Sequence, residues 1–205
     1  MITTCCPKST TLTSAVTTLY PCPQEIGQIQ KMIFWRRGNS IASVATAIKS
    51  TTWTTLLTAT GNTKALVTSF VVGKITPGEA REFGGGNETK NGIPIVIGGQ
   101  PSTFDGFAYQ QDQDVIANLK RLQCEALDVI LVNENGQFVY SDTVYGGTTG
   151  GFYGFPVEGM FVGDLETGDF DGADRNKIMF RLPANWSDKL EVSAATSFAL
   201  TIVNS

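Results

Sequence analysis

The stretch from Asp112 to Tyr140 constrains the fold more than any other part of the chain. Val115, Ile116, Leu119 and Leu122 recur at i, i+1, i+4 and i+7, which draws one apolar stripe along a helix. Asp112 stands where an N-cap belongs, and Asp114 lies in the first turn, where a negative charge suits the dipole. Lys120 and Arg121 occupy the last turn, which favours cations. Leu127-Asp128-Val129-Ile130-Leu131-Val132 follows, too rich in β-branched residues to prolong the helix. Asn133-Glu134-Asn135-Gly136 makes a tight turn, and Gln137 to Tyr140 returns as a second strand. The unit supplies a core and carries no chemistry.

The remaining chain reads mostly as strands. Ile26 to Arg37 holds Met32-Ile33-Phe34-Trp35 in succession, so its centre is buried on both faces, while Lys31, Arg36 and Arg37 mark its wet ends. Ile41, Val44, Ala45 and Ile48 follow helical spacing with Asn39 or Ser40 as cap, and Trp53, Leu56 and Leu57 repeat it, against a threonine content that opposes helix. Strands are expected at Lys64 to Ile75, Ile93 to Ile97, Phe155 to Val162, Lys177 to Leu182 and Ser197 to Val203. Gly-rich loops are expected near Gly84 to Gly92 and Gly146 to Gly154, and Gln100 to Gln111 reads as a linker with three aromatic plugs. The fold class is α+β: mostly antiparallel, sandwich-like β with one well-formed amphipathic helix packed on a sheet, long loops and an extended arm. Residues 1–23, dominated by Thr, Ser and Pro, form that arm, and residues 24–205 form one β-rich domain.

Charge and composition bound the partners. The net charge is −4 and no basic block is present, which argues against a phosphate-binding groove and sequence-specific nucleic-acid contact. No run approaches the roughly 20 apolar residues of a membrane span, and the first residues lack the basic start and apolar core of a secretory signal, so assembly in a cytosol is expected. The absence of histidine closes every mechanism that needs imidazole. No cofactor is implied. Cys5, Cys6, Cys22 and Cys124 match no zinc spacing and read as reduced thiols, with a tether from Cys5 or Cys6 to Cys22 as the sharper alternative.

One acidic segment is a candidate site. Asp164, Glu166, Asp169, Asp171 and Asp174 crowd together, and Asp169, Asp171 and Asp174 have the hard oxygens and the neighbouring glycine that calcium uses. The distal bidentate glutamate of an EF-hand is missing, so a solvated acidic turn is the plainer reading. For contacts between copies the candidates are Cys5, Leu12, Val16 and Leu19 on the arm, and Gly85, Asn87, Gly147 and Tyr153 on the two Gly-rich loops.

Four phrases carry a resemblance: Pro21 to Lys31, Thr51 to Thr60, Asn87 to Gly92 and Leu119 to Glu125. Together they resemble virion tail proteins of short-tailed bacteriophages of gut Bacteroidetes, the crAss-like phages. That resemblance implies a structural ring component of the tail, below the portal, forming a homo-oligomer around the conduit for DNA or cargo. Its partners are then copies of itself and neighbouring tail or portal proteins, and its place is the virion tail, assembled in the host cytoplasm. No catalytic residue follows from it. A different reading of the same loops is a receptor- or glycan-binding module, dependent on calcium if the aspartates hold the ion.

Overall fold

A computed structural model of the chain describes residues 26–85, 95–143, 149–168 and 172–193. The first third runs β1 (Ile29–Arg36), β2 (Ser40–Ile41), α1 (Val44–Ala47), α2 (Ser50–Thr58), β3 (Leu66–Val67) and β4 (Val71–Thr76). Then come β5 (Ala80–Phe83), β6 (Ile95–Gly99), β7 (Ser102–Tyr109), α3 (Gln113–Leu122), β8 (Leu127–Asn133) and β9 (Phe138–Thr143). The last part holds β10 (Thr149–Tyr153), β11 (Phe155–Pro156), β12 (Glu158–Glu166), β13 (Arg175–Leu182), a 3-10 turn at Trp186–Lys189 and β14 (Leu190–Val192). All strand pairs among the described residues are antiparallel.

Two sheets and a helical layer organise the molecule. The larger sheet follows the order β2-β10-β9-β8-β1-β3, with β11 on β8 and β14 on β9; the smaller is β12-β13-β7-β4. Met32, Phe34, Val129 and Leu131 of the larger sheet share one apolar layer with Phe104 and Ile178 of the smaller. The alternate residues of the same strands, Ile33, Trp35, Ile130 and Val132, point the other way. There they meet Ala47 of α1 and Trp53 of α2. A layer on each face explains why β1 and β8 read as unbroken apolar runs rather than as alternation. The turn between β8 and β9 falls where the sequence places it, with Leu131 opposite Val139 and Val132 opposite Phe138.

Helix α3 begins at Asp112, whose Oδ1 accepts the Asp114 N–H at 2.9 Å. Ile116 and Leu119 are buried in the layer between the sheets, and Val115 and Leu122 pack on it from the rim. It is not the only sizeable helix. Helix α2 spans nine residues despite five threonines. The hydroxyls of Thr54, Thr55 and Thr58 donate to the carbonyls of Ser50, Thr51 and Thr54, so the threonines find partners without leaving the helix.

Several expectations are corrected. Ile41 lies in β2, and the cap of α1 is Ser43, whose hydroxyl accepts the Thr46 N–H, rather than Asn39 or Ser40. Lys31 is buried, not a wet end: its ammonium lies 4.6 Å from the centre of the Phe70 ring, and desolvation lowers its pKa. The expected strand from Lys64 to Ile75 is two strands in different sheets. Thr68 divides them, its N–H donating to the Met32 carbonyl and its hydroxyl accepting the Met32 N–H at 3.0 Å. The expected strand from Phe155 to Val162 also divides, at Val157, with β11 in the larger sheet and β12 in the smaller. Gln100 to Gln111 is not a linker, because β7 lies between β13 and β4 inside the smaller sheet. The loop expected from Gly146 to Gly154 contains β10. The strand expected at Ser197 to Val203 lies outside the described residues, as does the arm.

The smaller sheet depends on a glycine pair. Gly73 of β4 stands opposite Gly106 of β7, and the Phe104 ring lies over both. A Cβ at Gly106 would come within 2.8 Å of the Gly73 Cα, the Phe104 ring and the Val72 carbonyl. Phe104 in turn stacks on Phe180 at 4.8 Å, so displacing it disturbs the central layer. Gly106→Ala is expected to cost about 1–3 kcal/mol of stability by overpacking. An unchanged urea midpoint would show that the ring is not wedged there.

Candidate assembly surfaces

Strands β5 and β6 form a two-stranded ribbon of their own. Its register sets Glu82 opposite Val96 and Phe83 opposite Ile95, with an irregularity between Arg81 and Glu82. Strand partners share a face and neighbours alternate, so Val96 projects from one side and Phe83 from the other. Phe83, Val96 and Ile97 are each 61% exposed. Among the described residues nothing covers these large apolar side chains. The sequence predicts β6, through the β-branched residues of Ile93 to Ile97, and does not predict β5. It gives no warning of the exposure, because the same pattern normally marks a buried strand.

A second open apolar surface lies on the outer face of the smaller sheet. Buried positions alternate along β7 and β13, at Phe104, Gly106 and Ala108 and at Ile178, Phe180 and Leu182, so the intervening residues face out. Phe161 stands opposite Met179, and Val72 opposite Phe107, on adjoining rows. Phe161 and Val72 are each 48% exposed. Charges surround them: the Arg175 guanidinium lies 4.2 Å from the centre of the Phe107 ring, and Lys177 pairs with Asp105 at 3.3 Å.

The acidic segment is arranged otherwise than the sequence suggests. Asp164 and Glu166 belong to β12 rather than to a loop. Asp164 pairs with Lys120 of α3, and Glu166 with Arg175 at 2.6 Å; those cations hold both carboxyls below their ordinary pKa. Asp174 accepts the Gly168 N–H at 2.9 Å. Asp169 and Asp171 lie outside the described residues. Among the described residues no three acidic or cysteine side chains gather as a metal site would need.

Of the residues singled out for contacts between copies, Cys5, Leu12, Val16, Leu19, Asn87 and Gly147 lie outside the described residues. Gly85 ends the described part of β5's loop in the left-handed region, φ +133°, with open space around it. Tyr153 is half-buried in β10, opposite Ser40 and Ser141. Cys124 is a free, exposed thiol. No helix of the described residues is long and apolar enough to cross a membrane.

Two polar clusters fasten the larger sheet. Arg36 holds Glu125 by two bonds, at 2.5 and 3.0 Å, and also donates to Asn62. This group rims an open cleft of about 300 Å³ floored by Phe34, Leu66, Leu122 and Leu127. Deeper in, Asp128 accepts the Gly38 N–H at 3.2 Å and the Arg37 guanidinium at 3.3 Å, while Arg37 also donates to the Val157 carbonyl at 2.9 Å. The second cluster pins the place where the chain leaves one sheet for the other. Burial pushes the Asp128 carboxyl above its usual 3.8; the Gly38 N–H and Arg37 offset this only in part. The folded chain therefore binds that proton more tightly than the unfolded chain does. The stabilising contribution is complete below the unfolded pKa and is lost as pH rises through the raised folded value. Asp128→Asn keeps an acceptor for Gly38 and removes the titration. Relative to the parent, the variant should gain stability as pH rises through the acid range, from the unfolded carboxylate's pKa upward. Urea melts across that range check it, and a difference that does not change with pH would contradict a buried, titrating carboxyl.

No protein-family model matches the chain, and no curated protein matches it. Two solved structures are similar to it: the tail of an empty gene transfer agent particle, refined with C6 helical symmetry, and the virion of the native gene transfer agent particle. Each match is 12% identical with a TM-score of 0.33 and covers 60% of this chain, with 80% and 82% of the matched chains. At that level the likeness carries no conclusion about what this chain does.

Proposed function

We propose that the chain is a structural subunit of a bacteriophage tail, a homo-oligomeric ring around the conduit for DNA or cargo, belonging to the crAss-like group. The observation that carries the reading is the β5–β6 ribbon. A two-stranded ribbon is marginal in water by itself; among the described residues this one pairs with no other strand and exposes Phe83, Val96 and Ile97, which supports completion by a neighbour. The phrases at Pro21 to Lys31, Thr51 to Thr60, Asn87 to Gly92 and Leu119 to Glu125 supply the phage-tail context. The reading assigns the chain no catalytic residue and no cofactor. Its partners are copies of itself and adjoining tail or portal proteins, and it resides in the virion tail after assembly in the host cytoplasm. Residues 1–23 act as an arm laid on an adjacent subunit through Leu12, Val16 and Leu19, with residues 24–205 as the folded domain. Cys5, Gly85, Asn87, Gly147 and Tyr153 fall in or beside the same contacts.

Electron micrographs of the purified chain test this directly. Closed rings are expected. Single particles that bind glycans only with calcium would replace the ring by a receptor-binding module, with Asp169, Asp171 and Asp174 as its metal ligands. Removal of residues 1–22 is expected to leave the thermal transition in place and to weaken ring formation. Loss of the transition would make the arm part of the folded domain.

A further inference from the structure

We infer that the ring closes by one contact repeated from subunit to subunit: the β5–β6 ribbon of each copy lies on the outer face of the smaller sheet of the next. This rests on the proposed ring and names its interface. The donor is the ribbon, with apolar side chains on both sides and, among the described residues, no third strand paired to it. The acceptor is the band formed by Phe161 and Met179 in one row and Phe107 and Val72 in the next, which crosses all four strands of the smaller sheet. Both surfaces are open in the single chain: the ribbon at 61% for its three apolar residues, the band at 48% for Phe161 and Val72.

The occupant is a second copy because each chain offers one donor and one acceptor on different surfaces. Such a contact is heterologous, and a heterologous contact repeated around an axis covers every donor and every acceptor at once when it closes. An isologous dimer through the ribbon would leave the band bare. Charge fits as well. The ribbon carries one charge of each sign, Arg81 and Glu82, and the cations at the band are matched within the chain: Lys177 pairs with Asp105, Arg175 over Phe107 pairs with Glu166, and Lys74 stands opposite Asp105. The ribbon can therefore seat without burying a surplus of like charge.

Two variants separate the halves of the contact. Phe83→Asp with Val96→Asp removes the donor, and Val72→Asp with Phe161→Asp removes the acceptor. All four residues are exposed, so each purified variant should melt as cooperatively as the parent. Alone, each is expected to run as a monomer by mass photometry. Mixed, they are expected to give a species of twice the monomer mass and nothing larger. The acceptor variant still has its ribbon, the donor variant still has its band, and the pair then has neither to offer. Rings from either variant alone, or a mixture that stays monomeric, would overturn the inference while leaving a ring formed by the parent intact. A parent chain that remains monomeric at every concentration would remove the proposed ring and this contact together. Should a variant fail to melt cooperatively, Val96→Lys and Val72→Lys alone take the place of the pairs, with the same expected outcomes.

Discussion

Leu119→Asp is expected to abolish cooperative melting of the chain. Leu119 lies mid-stripe on α3, fully buried among residues of both sheets. The change deletes an isobutyl group from a packed layer and sets a carboxylate where none of the neighbouring core side chains can pair with it. Lost packing alone costs about 3–5 kcal/mol, and desolvation of the charge adds to it. Against a total of about 5–15 kcal/mol for a chain of this kind, little or no folded population remains. Circular dichroism melts and one-dimensional proton spectra report the result. A soluble variant with a sharp transition would mean that α3 does not close the layer between the sheets.

Trp53→Ala should produce the second large loss, on the other side of the larger sheet. Trp53 stacks on Phe138 at 5.2 Å and on Trp35 at 6.2 Å, and meets Phe152 edge-on. Its Nε1 donates to the Ala47 carbonyl at 2.7 Å, which ties α2 to α1. Truncation empties the centre of this aromatic cluster and leaves that carbonyl without its donor, for a loss of about 3–5 kcal/mol. Thr55→Ala, on the exposed side of the same helix, should stay within about 0.5 kcal/mol. A urea titration of both variants gives the comparison; equal midpoints would contradict the layer of helices over the larger sheet.

The parts of the fold that were legible are those in which local pattern and tertiary burial agree. The β8–β9 hairpin shows in the sequence because its turn residues and its apolar run say the same thing. The two points where a stretch that reads as one strand changes sheets do not show. Neither Thr68 nor Val157 is a glycine or a proline, and what divides those strands is a bond to a distant partner, Met32 or Leu127. Lys31 is invisible for a similar reason, because a lysine beside an apolar run normally turns to water, whereas this one is roofed by Phe70. The site candidates fared according to the same rule. Acidic residues close in sequence suggest one cluster, yet two of them sit in β12 and face separate cations. The exposure of ribbon and band is not legible because the apolar pattern that marks a strand is blind to whether anything covers it.

The central pairing of β1 with β8 sets the order of events during synthesis. Arg37 and Asp128, joined at the end of that pairing, are 91 positions apart. At about 5–20 residues per second the ribosome needs roughly 5–20 s to make the intervening chain. Throughout that interval Met32-Ile33-Phe34-Trp35 has no β8 to pair with. Pairings so distant also fold late and slowly, because loop closure is met before the contact rewards it. The nascent chain therefore presents its stickiest strand first and shelters it last. Holding that strand apart from those on neighbouring polysomes, by a chaperone or by slow expression at low temperature, governs how much of the chain survives to fold.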